Sequence, residues 1–383
     1  MAANKLYYED CHLYRFRSTV TGCEPAGAHW AVTLAATAFY PEGGGQACDL
    51  GTLGNAKVVD VQEKDEEVVH TCTAPLEVGS EVEGIIDESR RFSLMQQHSG
   101  EHILSGIVHR RYGYHNTGFH MGSQIITVDF DGIIPAEDIP GIEAEANRAV
   151  WGNLPIECFY PSPEELPNTF YRTKKALPWP VRIVRIPGWD SCACCGVHVA
   201  ATGEIGLVKV FSIMNFRGGS RLEMACGGPA LALLNEAFAQ NKLVSQAFSA
   251  KWPETGAAAQ RMNEALEEAK FTANGLRKRL FGCIAESYVN HNNVVHFEED
   301  LDSVQIRELA DAIAGKCGGW AAVFSGSDEA GYGYCLATRQ GDLRQLCKDM
   351  NAALNGRGGG KPNFQQGRLA AGKQQIEEFW KGR

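Results

Sequence analysis

The chain has no uninterrupted apolar run of about 18 residues, so no membrane span is expected. Its opening, Met1-Ala2-Ala3-Asn4-Lys5-Leu6-Tyr7-Tyr8-Glu9-Asp10, lacks a basic segment followed by an apolar core, so no signal peptide is expected there. No internal repeat, no long low-complexity segment and no Gly-x-Ser-x-Gly nucleophile elbow occurs. Positive charge is in deficit. A net charge of −10 argues against nonspecific nucleic-acid binding by the whole surface and leaves room for a local basic one. Cysteine is not scarce. The 13 cysteines are odd in number and sit in a large chain without an export signal, so reduced thiols in a cytoplasmic protein are expected rather than a disulfide framework.

What is present reads as an α+β, multidomain protein. A chain of 383 residues exceeds one ordinary core, and about two to four domains are expected. Residues 1–87 carry short alternating strands with Gly and Pro turns, Lys57–Val61 and Val68–Cys72 among them, and suggest a small β-barrel. Residues 88–228 mix elements. A helix is predicted over Arg90–Arg111, with Leu94, His98, His102 and Ser105 on one stripe, and strands at Gln124–Phe130, Val181–Ile186 and Gly206–Phe211. Residues 229–290 are helical and broken at Pro253. There Met262, Leu266, Ala269, Ala273, Leu276 and Leu280 form an apolar stripe. It belongs either to a core-facing helix or to an exposed arm that spaces domains or dimerises. Residues 291–383 form an α/β unit with a glycine-rich loop, Gly356-Arg357-Gly358-Gly359-Gly360-Lys361-Pro362-Asn363.

Two pairs of metal-ligand residues carry the chemistry. His98-Ser99-Gly100-Glu101-His102 and Cys194-Cys195-Gly196-Val197-His198 each hold two ligands four residues apart. On a helix that spacing stacks side chains on one face, roughly 5–6 Å apart at Cβ. Three imidazoles and a thiolate suit one tetrahedral Zn2+ per chain. Four protein ligands describe a closed structural site, whereas catalytic zinc usually keeps three and a water. Five-coordination, or a loose ligand for which His198 is the candidate, reconciles the two.

The motifs point to a family. Phe39-Tyr40-Pro41-Glu42-Gly43-Gly44-Gly45-Gln46, His98–His102, Asp190–His198 and Gly203–Val210 occur in the order seen in alanyl-tRNA editing proteins. Over about residues 5–228 the chain resembles the AlaX group, freestanding relatives of the editing domain of alanyl-tRNA synthetases. Arg217–Glu223 resembles the basic strand that closes that domain. Gly356–Arg368 resembles the glycine-rich motif of the DHH-associated C-terminal domain in those synthetases. With a helical arm at 229–290 and that domain at 291–383, the layout resembles the long form of AlaX. Three positions depart from the family pattern: Cys195 and Val197 replace a Gly and a Thr, and Ser99 stands where Thr is common.

The resemblance implies a zinc-dependent aminoacyl-tRNA deacylase that clears wrong amino acids, serine or the smaller glycine, from tRNA for alanine. His98, His102, Cys194 and His198 would act through a zinc-bound water of pKa about 7. Gln46, Ser99, Glu101, His120 and the loop Gly43, Gly44 and Gly45 are placed at the substrate, and Asp190 behind a ligand imidazole. A site that hydrogen-bonds the serine hydroxyl can reject alanine by as much as about 10⁴–10⁵; Ser99, Glu101 and His120 are the candidates. Arg357, Lys361 and Arg368 are expected to contact tRNA, in a stretch of nine basic and four acidic residues over 339–383. Nucleotide and ATP binding and a homodimer through the arm or the C-terminal domain complete the expectations.

Three rivals remain at this level. His98-Ser99-Gly100-Glu101-His102 also matches the inverted zinc-peptidase signature, with Glu101 as general base and a later Glu as third ligand. The Cys194/His198 pair fits it poorly. A tRNA-binding module with structural zinc is the second. Editing in the threonine system, whose synthetases carry a related domain, is the third.

Overall fold

The computed structural model describes residues 4–122, 124–173 and 177–383. They divide into two compact units between Leu243 and Val244. The first unit opens with a closed six-stranded barrel in the order Arg15–Ala26, His29–Leu34, Glu67–Cys72, Ala56–Lys64, Gly51–Leu53, Glu81–Ile86. Alternation along the strands turns Phe16, Val32, Leu34, Leu53, Val61 and Val68 into its core.

A buried ion pair ties this barrel to the helix that follows, α1 (Glu88–Tyr112). Arg91 and Asp49 are both fully buried. Arg91 Nε donates to the two Asp49 oxygens at 2.8 and 2.9 Å, and the Tyr40 N–H donates to Asp49 Oδ2 at 2.6 Å. Removing either partner strands a buried charge, at a cost of about 3–5 kcal/mol. This fully buried ion pair spans the expected boundary at 87/88.

Asp87 caps α1 by accepting from the Arg90 N–H at 3.0 Å. From Arg91 to Val108 the helix is buried almost all round rather than on one stripe. It contacts α2 (Ile139–Trp151), the strand Asp190–Ala193 and a four-stranded sheet. That sheet runs Val208–Phe216, Gly219–Cys226, Ile126–Phe130, Asn116–Met121. Met95, Ile103, Leu104 and Ile107 of α1 share one apolar cluster with Ile126, Val128, Leu222 and Met224. A three-stranded sheet of Glu157–Phe159, Ile183–Ile186 and Asp190–Ala193 completes the surroundings of the site.

Helix α3 (Gly227–Ala247) carries the chain across the boundary. In the second unit, Pro253 lies in a short 3-10 turn, Trp252–Glu254, ahead of α4 (Thr255–Glu286). Met262, Leu266, Leu276 and Leu280 are 53%, 48%, 58% and 56% exposed, so their stripe is not core-facing. The two ends of α4 are held: Thr255 and Ala258 are buried at its start, and Phe281 and Ala285 at its end pack with Ile306, Leu309 and Ile313 of α5 (Ser303–Ala314).

The sheet of this unit runs Val294–Phe297, Trp320–Ser327, Gly331–Thr338, Phe364–Leu369, Gly356–Lys361. The glycine-rich segment is thus an edge strand rather than the loop expected over Gly356–Asn363. The reason is close approach: a Cβ on Gly358 would stand 2.3 Å from the Tyr334 hydroxyl. No helix among the described residues is long and apolar enough to cross a membrane.

Candidate metal centre

Helix α1 sets His98 and His102 one turn apart, with ring centroids 5.2 Å from each other. The reversal Cys194–His198 follows the strand Asp190–Ala193 and crosses over them. Cys194 Sγ lies 3.4 Å from His98 Nε2, and the His198 ring lies 4.5 and 4.6 Å from the rings of His98 and His102. The donor atoms of His98, His102, Cys194 and His198 all fall within 4.8 Å of one another. Zn–N and Zn–S bonds of about 2.0–2.3 Å place tetrahedral donors roughly 3.3–3.8 Å apart, the range this cluster approaches. The crossing requires glycine at 196, because a Cβ there would meet His98 Cε1 at 2.1 Å.

Each imidazole is held from behind. His98 Nδ1 is 2.8 Å from Gln46 Oε1, His102 Nδ1 is 3.0 Å from Asp190 Oδ2, and His198 Nδ1 is 3.2 Å from Ser99 Oγ. With Nδ1–H donating to these oxygens, every Nε2 turns toward the centre. His198 Nε2 is buried there and makes no hydrogen bond among the described residues. Three converging ring nitrogens and a thiolate with an orphaned acceptor are a donor set that fits one zinc ion.

The electrostatics agree. Burial pushes the Cys194 thiol up, but His98, His102 and His198 outweigh it and hold it well below the ordinary thiol value. The Gly196 N–H also donates to its sulfur at 3.3 Å. Burial pushes His102 down, yet Asp190 and Cys194 on its two sides raise it well above its usual value, so positive charge is favoured between them. Burial and the nearby His98 push His198 down to about 3, which keeps it neutral. Burial would raise Asp190, but His102 and Arg172 together hold it below the usual carboxylate range. Arg172 grips both its oxygens, at 2.7 and 2.9 Å.

The cluster opens on a cavity of about 730 Å³. His98, His102 and Cys194 form part of its wall, with Gly44, Gly45, Glu101, Asn116, Phe119, Arg172 and Arg182. Phe119 stacks on His98 at 5.3 Å.

Comparison with known proteins gives this geometry a family. Models of the threonyl and alanyl tRNA synthetase second additional domain, of class II (A) tRNA synthetases and of the DHHA1 domain match residues 181–224, 5–90 and 290–381. The alanyl-tRNA editing protein AlaX-L of Pyrococcus horikoshii is 28% identical over 97% of this chain and 96% of its own length. The alanyl-tRNA editing protein Aarsd1 of Danio rerio is 24% identical over 94% of this chain and 92% of its own. The chain is a homologue of the alanyl-tRNA editing proteins. It is also 29% identical, over 95% of its length, to an alanine–tRNA ligase of Thermofilum pendens, but spans only 42% of that protein. The matches give no support to the nucleotide and ATP binding expected from the synthetase likeness.

In this editing-protein homologue several expected site residues take other places. Gln46 is fully buried and its Oε1 accepts from His98 Nδ1 and, at 3.2 Å, from the Val197 N–H, while its Nε2 has no hydrogen-bond partner among the described residues. Ser99 is likewise sealed in, between His198 Nδ1 and the Val199 N–H at 3.2 Å. His120 is exposed, because strand alternation turns its neighbour Phe119, not His120, toward His98. Gly44 and Gly45 line the cavity; Gly43 instead bridges to Gln46. Glu101 lines the cavity as expected, and Asp190 stands behind His102. The metal cluster contains no carboxylate, which is not the peptidase arrangement. Arg357, Lys361 and Arg368 are exposed on the edge hairpin of the second unit.

Three further residues at the site, Arg172, Arg182 and Asn116, lie in no motif. Arg172 anchors Asp190. Arg182 donates to the carbonyls of Cys194 and Gly196, both at 2.9 Å, and lies 4.4 Å over the Tyr8 ring. Asn116 joins Glu101 at the cavity wall.

Proposed function

We propose that this chain hydrolyses the ester joining a wrong amino acid to tRNA for alanine, acting in trans on seryl-tRNA first and glycyl-tRNA second. The observation that carries this reading is the convergence of His98, His102, Cys194 and His198 at a cavity wall, each imidazole oriented by its own partner. These four residues would hold a zinc ion, which when bound supplies a Lewis acid for the ester carbonyl and activates water near neutral pH. Asp190, Gln46 and Ser99 keep the three rings in one tautomer. Arg182 fixes the Cys194–Gly196 turn, and Phe119 covers the outer face of His98. A cavity of about 730 Å³ suits an aminoacylated ribose.

The second unit would hold the RNA. Arg357 and Arg368 stand directly opposite each other across the edge hairpin, with Lys361 near its turn. Like charges directly opposite destabilise an antiparallel pair, and phosphate between them would relieve this.

Deacylation assays with tRNA for alanine charged with serine, glycine or alanine test the reading. Seryl-tRNA should disappear far faster than alanyl-tRNA, and a chelator should stop the reaction. Equal rates on the two esters, or a rate indifferent to the chelator, would count against the editing role, and no hydrolysis above the spontaneous rate would leave a tRNA-binding module with structural zinc. Because the model matched at 181–224 covers threonyl and alanyl synthetases alike, seryl-tRNA for threonine belongs in the same assay. Preference for it would move the assignment to that system.

A further inference from the structure

Glu101 is a buried carboxyl beside the metal cluster that makes no ion pair among the described residues. It is 5% exposed, lies one residue before His102 on α1 and is the acidic side chain in the cavity lining. Its Oε1 accepts from Asn116 Nδ2 at 2.7 Å and from the Ser105 hydroxyl. Both donors are neutral. Oε2 takes no hydrogen bond among the described residues. The two guanidinium groups in the same wall are committed elsewhere: Arg172 to both oxygens of Asp190, and Arg182 to the carbonyls of Cys194 and Gly196. Glu101 therefore presents an oxygen without a hydrogen-bond donor at the cavity wall.

Resting on the deacylase reading, we propose that Glu101 binds the α-ammonium group of the aminoacyl ester, with Ser105 and Asn116 as positioning residues. The ammonium is one carbon away from the ester carbonyl, so its counter-charge must lie close to the metal ligands. Glu101, between His98 and His102 along α1, meets that requirement. The Asn116 amide has one orientation here, because Oε1 can only accept from it; its Nδ2 faces Glu101. Asn116 and Ser105 together occupy Oε1 and leave Oε2 for the ligand. This differs from recognition of the serine hydroxyl, from general-base catalysis, and from simple compensation of the metal's charge.

Two non-hydrolysable adenosine 3′-amides test it by calorimetry on the full zinc-loaded chain. One carries a seryl group; the other carries a glyceryl group, with a neutral hydroxyl in place of the ammonium. The seryl compound should bind roughly 10- to 100-fold more tightly, as expected for a charge-assisted hydrogen bond. In Glu101→Gln the ratio should fall toward one while zinc content stays at the wild-type level. Equal binding of both compounds by the wild-type chain, or an unchanged ratio in Glu101→Gln, overturns the role of Glu101. The wild-type comparison decides the matter even where the variant fails to fold. Hydrolysis of seryl-tRNA alongside equal binding would remove this role alone. Absence of both hydrolysis and binding would remove the deacylase reading and this inference with it.

Discussion

Gln46 Oε1 lies 2.8 Å from His98 Nδ1 and 3.2 Å from the Val197 nitrogen, so one amide braces a ligand helix and a ligand turn at once. It comes from the glycine-rich segment that lies between the barrel strands His29–Leu34 and Gly51–Leu53. Gln46→Ala should lower zinc affinity by about 10- to 100-fold, as loss of a partner behind a ligand usually does. Competition with a chromogenic chelator reads this. Unchanged zinc affinity with weakened substrate binding would restore Gln46 to the substrate role its motif suggests.

Asp190 and Arg172 stand or fall together. The Arg172 and Asp190 side chains are 9% and 1% exposed. Asp190→Ala leaves a buried guanidinium unpaired and should destabilise the first unit by about 3–5 kcal/mol. Replacing both by apolar residues of similar size, Asp190→Leu with Arg172→Met, should cost less than Asp190→Ala alone. Urea unfolding of the three proteins reads the difference. A double variant less stable than the single would show that the pair contributes more than its own mutual satisfaction.

His70 gives a pH signature independent of the metal. It is fully buried in the barrel, with Nδ1 3.0 Å from the Val32 carbonyl and Nε2 2.8 Å from the Thr37 hydroxyl. Burial pushes it down from 6.5 to about 4. Between those values the unfolded chain binds the proton and the folded chain does not. Stability is therefore undiminished above pH 6.5 and falls as pH drops toward 4, by at most about 3 kcal/mol. His70→Gln should flatten the unfolding free energy across that window relative to wild type. Parallel curves for the two proteins would mean that His70 is not neutral in the fold.

The edge hairpin predicts a salt dependence. Arg357→Ala with Arg368→Ala should weaken tRNA binding and reduce the slope of log affinity against log salt by about 1.5–2. Zinc content should not change, since all four ligands lie in the first unit. A slope identical to wild type would assign the second unit another task.

The parts of this site legible in the sequence are those set by local periodicity. A helix expected over Arg90–Arg111 is found over Glu88–Tyr112, and its 3.6-residue repeat is enough to pair His98 with His102. Arg172, Arg182 and Asn116 were not legible, because their partners Asp190, Cys194 and Glu101 meet them only through tertiary packing. His120 and Phe119 show the limit of motif matching in a strand: one residue of parity separates exposure from contact with His98. Gly356–Lys361 shows another. Glycine is a poor strand former, and the close approach of Tyr334 that requires it cannot be seen in the segment itself.

The central claim is that one metal ion held by His98, His102, Cys194 and His198 performs the hydrolysis. Protein purified without a histidine tag and stripped by a chelator should be titrated with zinc while seryl-tRNA deacylation is followed. The rate should rise linearly and break at one zinc per chain, and a His98→Ala/His102→Ala protein should gain no activity at that stoichiometry. Full activity in the stripped protein, or zinc-restored activity in the doubly substituted one, would contradict it.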